Sequence, residues 1–199
     1  MFQFNFQHGY YVCHRLDFAT SGLLVIPLTK RSAKAACKAF ESKLVTKIYL
    51  AIVRGHCAQD KYHVKVPIGN DSRPEYSSIK MATSDSEFVS NPRNAETLIK
   101  VVSRGTYQGS PATKILLRPL TGRRHQLRLH CHHIGHTIVG DFTYSNRLDT
   151  SPLRMYLHAL KISLPNPVEN LEIITEDPFV QDYEETQIVI RDLFKETFE

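Results

Sequence analysis

Asp17 stands in the run His14-Arg-Leu-Asp-Phe-Ala-Thr-Ser-Gly22, between a His–Arg pair and a turn of small residues. Such a turn lets another backbone approach closely and keeps a neighbouring side chain accessible. An accessible carboxylate can serve as a nucleophile or as a general base. On its own the signal is weak, because an aspartate in a turn more often satisfies backbone donors. A second set of chemical groups lies in Leu120-Thr-Gly-Arg-Arg-His-Gln-Leu-Arg-Leu-His-Cys-His-His-Ile-Gly-His136. On a short helix Arg124, Arg128 and His132 stand four residues apart and share a face. Leu127, Cys131 and Ile134 form a neighbouring apolar stripe. An arginine on a buried helix needs a partner, since an unpaired buried charge is costly. Asp17 is the expected partner of Arg128, and that pairing lowers the carboxylate's pKa and keeps it ionised for attack. A third stretch, Val45-Thr-Lys-Ile-Tyr-Leu-Ala-Ile-Val-Arg-Gly55, puts Tyr49 inside an apolar strand. Most such rings are packed with a tethered hydroxyl. The functional alternative is a ring that stacks on a base at a pocket wall.

The histidines at 125, 130, 132, 133 and 136, with Cys131, invite a metal reading. Their spacing matches neither H-E-x-x-H nor a His/Cys set with a second pair elsewhere, so no metal is expected and these side chains read as helix-surface and core groups. The four cysteines, Cys13, Cys37, Cys57 and Cys131, contain no C-x-x-C and read as reduced, mostly buried thiols.

These groups need a scaffold. Leu23 to Leu28 reads as a buried strand. Thr29 can cap a helix over 31–43, with Ala33, Ala36, Cys37, Phe40 and Leu44 as its apolar stripe and lysines over the rest. Ile48 to Val53 is a well-buried strand ended by Gly55, and 62–66 alternates as a half-exposed one. Residues 83–95 read as a polar loop. Strands follow at 96–104 and 112–118 in a hairpin-like arrangement. Thr121 can cap a helix from 123 to 134 closed by Gly135. A strand at 156–162 and a terminal helix at 188–198 complete the pattern. The sum is an α+β domain, a mostly antiparallel mixed sheet with a few flanking helices.

Length and composition set outer limits. The 199 residues, 42% hydrophobic and 23% charged, suffice for one domain with a core. No apolar run approaches a membrane span, and the N-terminus has neither a secretory signal nor a transit-peptide pattern. An intracellular protein is expected, cytoplasmic, with nucleus and mitochondrion left open, and a monomer. The net charge of +5 divides into +13 for residues 1–168 and −8 for 169–199. A basic body favours a polyanionic partner through steering and phosphate contacts, although a basic surface alone leaves this even with a fortuitous one.

Taken together, the three chemical stretches resemble the RluA-type family of RNA pseudouridine synthases. His14-Arg-Leu-Asp17 with Ala19-Thr-Ser-Gly22 resembles the motif around the family's catalytic aspartate, and Lys47-Ile-Tyr49 resembles the segment carrying its tyrosine. Gly122-Arg-Arg-His-Gln-Leu-Arg128, with His130 and Ile134-Gly-His-Thr-Ile-Val-Gly-Asp141, is similar to the third motif, and Met155-Tyr-Leu-His-Ala159 to a later strand. The likeness covers about residues 13–165, in the family's order. Val45 to His56 looks most like animal members, the RNA pseudouridylate synthase domain-containing proteins.

The resemblance implies a pseudouridine synthase catalytic fold acting on structured RNA with no metal and no organic cofactor. It implies that Asp17 attacks a flipped uridine covalently, frees the base from its sugar and lets it rotate and rejoin through carbon. Tyr49 stacks on the uracil and serves proton transfer, and Arg128 pairs with Asp17. Arg15 fills the place the flipped base vacates, and His14, Lys47, Arg123 and Arg124 contact RNA. Thr137 replaces the family's usual proline and Arg124 a small hydroxyl residue. Only sixteen residues precede Asp17, and none resembles the family's opening strand and Lys-Pro turn. The expected organisation is therefore a shortened catalytic domain over 1–168, lacking the N-terminal strand region, with an acidic extension over 169–199 that packs on it or trails from it. Loss of that strand would expose a sheet edge. Two rivals remain: an RNA-binding protein or chaperone of the same fold with impaired turnover, and a metal-dependent hydrolase built on the histidines.

Overall fold

Thr29 opens the first helix as the sequence predicts. In the computed structural model, which describes residues 11–76, 79–165, 167, 170–190 and 198, α1 spans Lys30–Glu41. The Thr29 side chain accepts from the Ser32 amide while the Ser32 hydroxyl reaches back to the Thr29 amide, a reciprocal capping box. The apolar run after Lys47 becomes β2 (Thr46–Arg54), in the middle of an eight-stranded sheet. The sheet order is β1 (Ser21–Gly22), β9 (Leu157–Leu164), β2, β8 (Ser110–Pro119), β7 (Thr97–Tyr107) and β11 (Glu184–Ile188). Two further strands join it, β10 (Leu171–Ile174) on β9 and β3 (Lys61–Val64) on β7. All these pairings are antiparallel except that of β1 with β9.

Burial of both sheet faces explains why β2 reads as continuous apolar sequence. Ala51 and Val53 pack with Leu127 and Cys131 of α2 (Gln126–His133). Leu50 and Ile52 face the other way, onto Phe179 and Tyr183 from the acidic end of the chain. That end contributes β10 and β11. Its acids also hold Lys114, whose ammonium lies 2.8 Å from Asp177 and 3.2 Å from Glu185. The hairpin between β7 and β8 turns on Gln108 and Gly109, both left-handed (φ 49° and 73°), the backbone that matches strand twist in a two-residue turn.

Three sequence expectations are corrected. Leu23 to Leu28 is extended but not a strand. The Leu23 amide donates to Ala159 O, the Val25 amide is taken by the His14 ring, and Pro27 has no N–H to offer. The polar stretch 83–95 is no simple loop. Within it β6 (Val89–Arg93) pairs with β4 (Ile68–Asp71), which also pairs with β5 (Met81–Thr83), making a small three-stranded sheet. Thr121 does not cap α2; the N-cap is His125 in a left-handed conformation, and the Thr121 hydroxyl instead donates to the Gln126 side chain. Of the terminal helix expected at 188–198, residues 191–197 lie outside the described residues, and Ile188 ends β11.

Gly22 sets the position of the turn that carries Asp17. Its φ is +103°, and an added Cβ would lie 2.4 Å from the Ala159 carbonyl oxygen, a backbone atom that cannot swing aside. Gly22→Ala therefore combines backbone strain with a clash and is expected to cost about 3 kcal/mol or more. Urea unfolding measures this directly, and a midpoint within error of the wild type would show that the turn is not seated on β9.

Candidate active site

Asp17 is presented by a short turn anchored on β9. The Thr20 amide donates to the Asp17 carbonyl at 3.0 Å, and Ala19 between them is left-handed (φ 68°). Ser21 and Gly22 then pair with His158 and Ala159, and Ala159 also pairs with Tyr49 on its other side. One residue of β9 thus sets the level of both Asp17 and Tyr49, which explains how groups 32 positions apart reach one place. A side-chain relay reinforces the seat. Arg154 donates to the Ser21 hydroxyl, so Ser21 donates in turn to His158 Nδ1 (2.8 Å), and His158 Nε2 donates to Thr175 (2.7 Å).

Asp17 and Tyr49 open into a cavity of about 670 Å³, within the usual range for small-molecule sites. Six cations line it, Arg15, Lys43, Lys47, Arg118, Arg123 and Arg124, against two acids, Asp17 and Glu41. An excess of positive charge in a concave wall concentrates anions there. The sequence candidates His14, Arg15, Lys47, Arg123 and Arg124 all line this wall; Arg128 does not. The Thr20 hydroxyl, also in the lining, is buried without a hydrogen-bond partner among the described residues.

The expected Arg128–Asp17 ion pair is corrected. Arg128 gives its fork to Asp141, with Nε and Nη2 each 2.7 Å from a carboxylate oxygen. Asp141 also accepts from the Tyr144 amide, and the guanidinium lies over the Tyr144 ring at 5.1 Å. Asp141 lies thirteen residues after Arg128, inside the same motif, and packing sets its carboxylate against the guanidinium. Arg128 therefore acts on Asp17 through space. The direction of the Asp17 pKa is corrected with it. Burial raises it above the ordinary carboxylate value, and the fields of Arg128, Arg15 and Arg124 oppose that rise without cancelling it. A partly desolvated carboxylate beside cations is a more reactive nucleophile than one locked in an ion pair, because fewer hydrogen bonds must be broken before it attacks.

Tyr49 is pushed up to about 12 by burial and by the Asp17 charge, so it holds its proton at neutral pH. Lys47, two residues earlier on β2, is lowered by burial, and its ammonium lies 5.9 Å from the Phe40 ring. His14 serves as a bracket between elements. Its ring stacks on Phe40 (centroids 4.6 Å apart) and its Nε2 accepts from the Val25 amide at 2.9 Å. One residue before it, the Cys13 and Cys37 sulfurs lie 3.0 Å apart, joining the segment to α1 at a second point. Burial and the Lys47 charge lower His14 to about 4. The neutral ring is thus the folded form. The stability it contributes is complete above the ordinary value of 6.5 and is lost as pH falls from there towards 4, where only the unfolded chain takes the proton. An NMR titration of the His14 ring is expected to show a midpoint near 4; a midpoint near 6.5 would mean that the bracket does not exist in solution.

The cluster of histidines disperses onto separate tasks. His130 donates from Nε2 to Val66 O (3.0 Å), so its Nδ1 accepts from Thr97 (2.8 Å). His125 meets the Tyr144 hydroxyl, His132 meets Thr137, and His136 donates to Arg54 O. No group of three or more potential metal ligands gathers among the described residues. Sequence reasoning had assigned no role to Asp141 or Tyr144. Their signal was present in Gly140-Asp-Phe-Thr-Tyr144, where the third motif ends, but a second acid in the sequence gives no hint of which takes the arginine.

Residues 3–133 match the family described as RNA pseudouridylate synthase. The chain is 45% identical over 173 residues to RNA pseudouridylate synthase domain-containing protein 1 of Danio rerio, a match covering 87% of this chain and 59% of that protein. It is 37% identical over 160 residues to the dual-specificity RNA pseudouridine synthase RluA of Vibrio parahaemolyticus, covering 78% of this chain and 60% of that one. It superposes on the structure of human RNA pseudouridylate synthase domain containing 1 with a TM-score of 0.88 at 38% identity, over 93% of this chain and 77% of that one. The chain spans about three fifths of the length of these curated relatives. With the motifs in order, the sheet matched and one basic cavity enclosing the aspartate and the tyrosine, the chain belongs to the RNA pseudouridylate synthase family.

Proposed function

We propose that this chain isomerises uridine to pseudouridine in structured RNA, with Asp17 as the nucleophile. The observation that carries the reading is the partly desolvated Asp17 carboxylate opening, beside Tyr49, into a cation-lined cavity large enough for one nucleotide. A uridine stacked inside RNA cannot reach that cavity, so it must first flip out, at a cost of a few kcal/mol. Arg15, exposed on the segment before Asp17, fills the gap left in the RNA stack. Arg123, Arg124, Lys47 and His14 line the path of the backbone and the extruded nucleoside.

In the reaction an Asp17 oxygen bonds covalently to the uridine and the glycosidic C1′–N1 bond breaks. The freed uracil turns within the cavity, and C5 bonds to C1′ as the bond from the Asp17 oxygen to C1′ breaks and returns the free carboxylate. The C5 hydrogen leaves as a proton and N1 gains one, so the product is an isomer of the substrate and nothing else is consumed. Tyr49, a neutral phenol against the uracil face, relays that proton by passing on its own as it accepts another. Arg128, fixed by Asp141, opposes reprotonation of Asp17 through its field.

Release of tritium from RNA labelled at uracil C5 tests the proposal. Release by the wild-type chain, lost in Asp17→Asn, is the expected result. A wild-type chain that binds RNA and releases nothing would instead be an RNA-binding protein of the same fold.

A further inference from the structure

Phe18 directly follows the proposed nucleophile and is 95% exposed. A single exposed apolar side chain is ordinary on a protein surface; its mount and its surroundings set this one apart. The Asp17–Thr20 turn, the left-handed Ala19 and the Gly22 contact with β9 hold the backbone on both sides of it. Asp17 and Thr20 line the cavity while Phe18, between them in the chain, does not, so the ring lies outside the space for the extruded nucleoside. Among the described residues it makes no ring or cation contact. Arg15 is exposed three residues earlier on the same segment, and Arg123 and Arg124 stand in the cavity lining. Cations that can track phosphates beside an exposed aromatic that can meet a base face are the two components of single-strand recognition.

We infer that Phe18 is a stacking platform for an unpaired RNA base that flanks the flipped uridine. The inference rests on the reading of Asp17 above for its RNA partner, and it adds a contact that Asp17, Tyr49 and the arginines do not make. A phenylalanine has two side-chain torsions, so docking a base on it loses little conformational entropy. The contact forms equally in the bound substrate and in the transition state, so it acts on KM and leaves kcat alone. It carries no charge, so it leaves the salt dependence alone.

The test uses a fluorescein-labelled RNA stem-loop with uridine in its loop for binding, and a transfer-RNA transcript labelled with tritium at uracil C5 for turnover. Phe18→Ala is expected to weaken stem-loop binding about tenfold with an unchanged slope of log affinity against log salt. Phe18→Trp should bind within about twofold of the wild type, because it keeps a π-face. Phe18→Leu should behave as the alanine variant does, separating stacking from simple apolar contact. In turnover KM rises about tenfold in Phe18→Ala and kcat holds. Phe18→Ala binding like the wild type, or Phe18→Leu retaining full affinity, overturns the inference. If the wild type binds the stem-loop but releases no tritium, the isomerase reading fails and the binding series alone decides the stacking role. If tritium is released and KM is the same in Phe18→Ala, the stacking role fails and the isomerase reading stands.

Discussion

Asp17→Asn is expected to lose turnover by at least roughly 10³-fold, about 4 kcal/mol of barrier, and at the same time to unfold at a higher temperature than the wild type. The first effect follows from chemistry. An amide oxygen is far too weak a nucleophile to displace a glycosidic nitrogen, and the cavity offers only Glu41 as another carboxylate. The second follows from the direction of the Asp17 pKa. Burial raises it, so the ionised form is the one the fold disfavours. Below the unfolded value both states are protonated and the group costs nothing. As pH rises through the folded value, the ionised acid becomes a penalty carried at neutral pH. Asparagine has nearly the same shape and no charge, and removes that penalty, so the melting midpoint should rise by about 2 °C at neutral pH. The difference should shrink towards acid pH, where the wild type is neutral as well. Calorimetry at pH 7 and at pH 3.5 reads both arms. A variant less stable than the wild type at pH 7 would mean that the Asp17 carboxylate is satisfied by partners and is not poised for attack. The same shift places the acid limb of the pH–rate profile above the ordinary aspartate value, because activity needs the ionised form.

The largest loss of stability should come from Asp141→Ala. Arg128 and Asp141 are 6% and 1% exposed, and the carboxylate takes both arms of the guanidinium as well as the Tyr144 amide. Removing one partner of a buried pair leaves an uncompensated charge, worth about 3–5 kcal/mol. For a chain of this length that corresponds to a fall in melting midpoint of about 10 °C. Adding Arg128→Met to Asp141→Ala removes the stranded charge and should recover a substantial part of the loss, so the two substitutions are far from additive. Equal and additive losses would show that the two groups do not act as a pair. Asp141→Asn, which keeps the shape and one acceptor, should fall between wild type and alanine. Its residual turnover then reports how well Arg128 is held near Asp17 apart from global unfolding.

How much of this could be read without a fold depends on the range over which each feature is decided. Helix α1, the turn between β7 and β8 and the apolar run of β2 are local patterns of capping, turn and periodicity, and each was legible from a dozen residues or fewer. The residues of the cavity wall were legible too, because their motifs combine rare types at fixed spacing: His14, Arg15, Asp17, Lys47, Tyr49, Arg123 and Arg124 were all named from sequence and all line one cavity. The absence of partners in that reading was the source of its errors. A sequence shows that a buried arginine must be paired, but two acids competed for Arg128 and only the packing of α2 against the segment ending at Asp141 decided between them. The direction of the Asp17 pKa inverted with that choice, since burial and not a bonded cation became its main influence. The stretch 83–95 hid β6 because its polar residues lie on a small, half-exposed sheet that imposes little apolar alternation, and Leu23 to Leu28 looked like a strand because extended chain with side-chain hydrogen bonds has the same composition. Residue types and spacing thus determined which groups line the candidate site and roughly where they lie along the chain. The tertiary structure alone decided which charge meets which, because pairing and desolvation are properties of distance in space and not of distance along the chain.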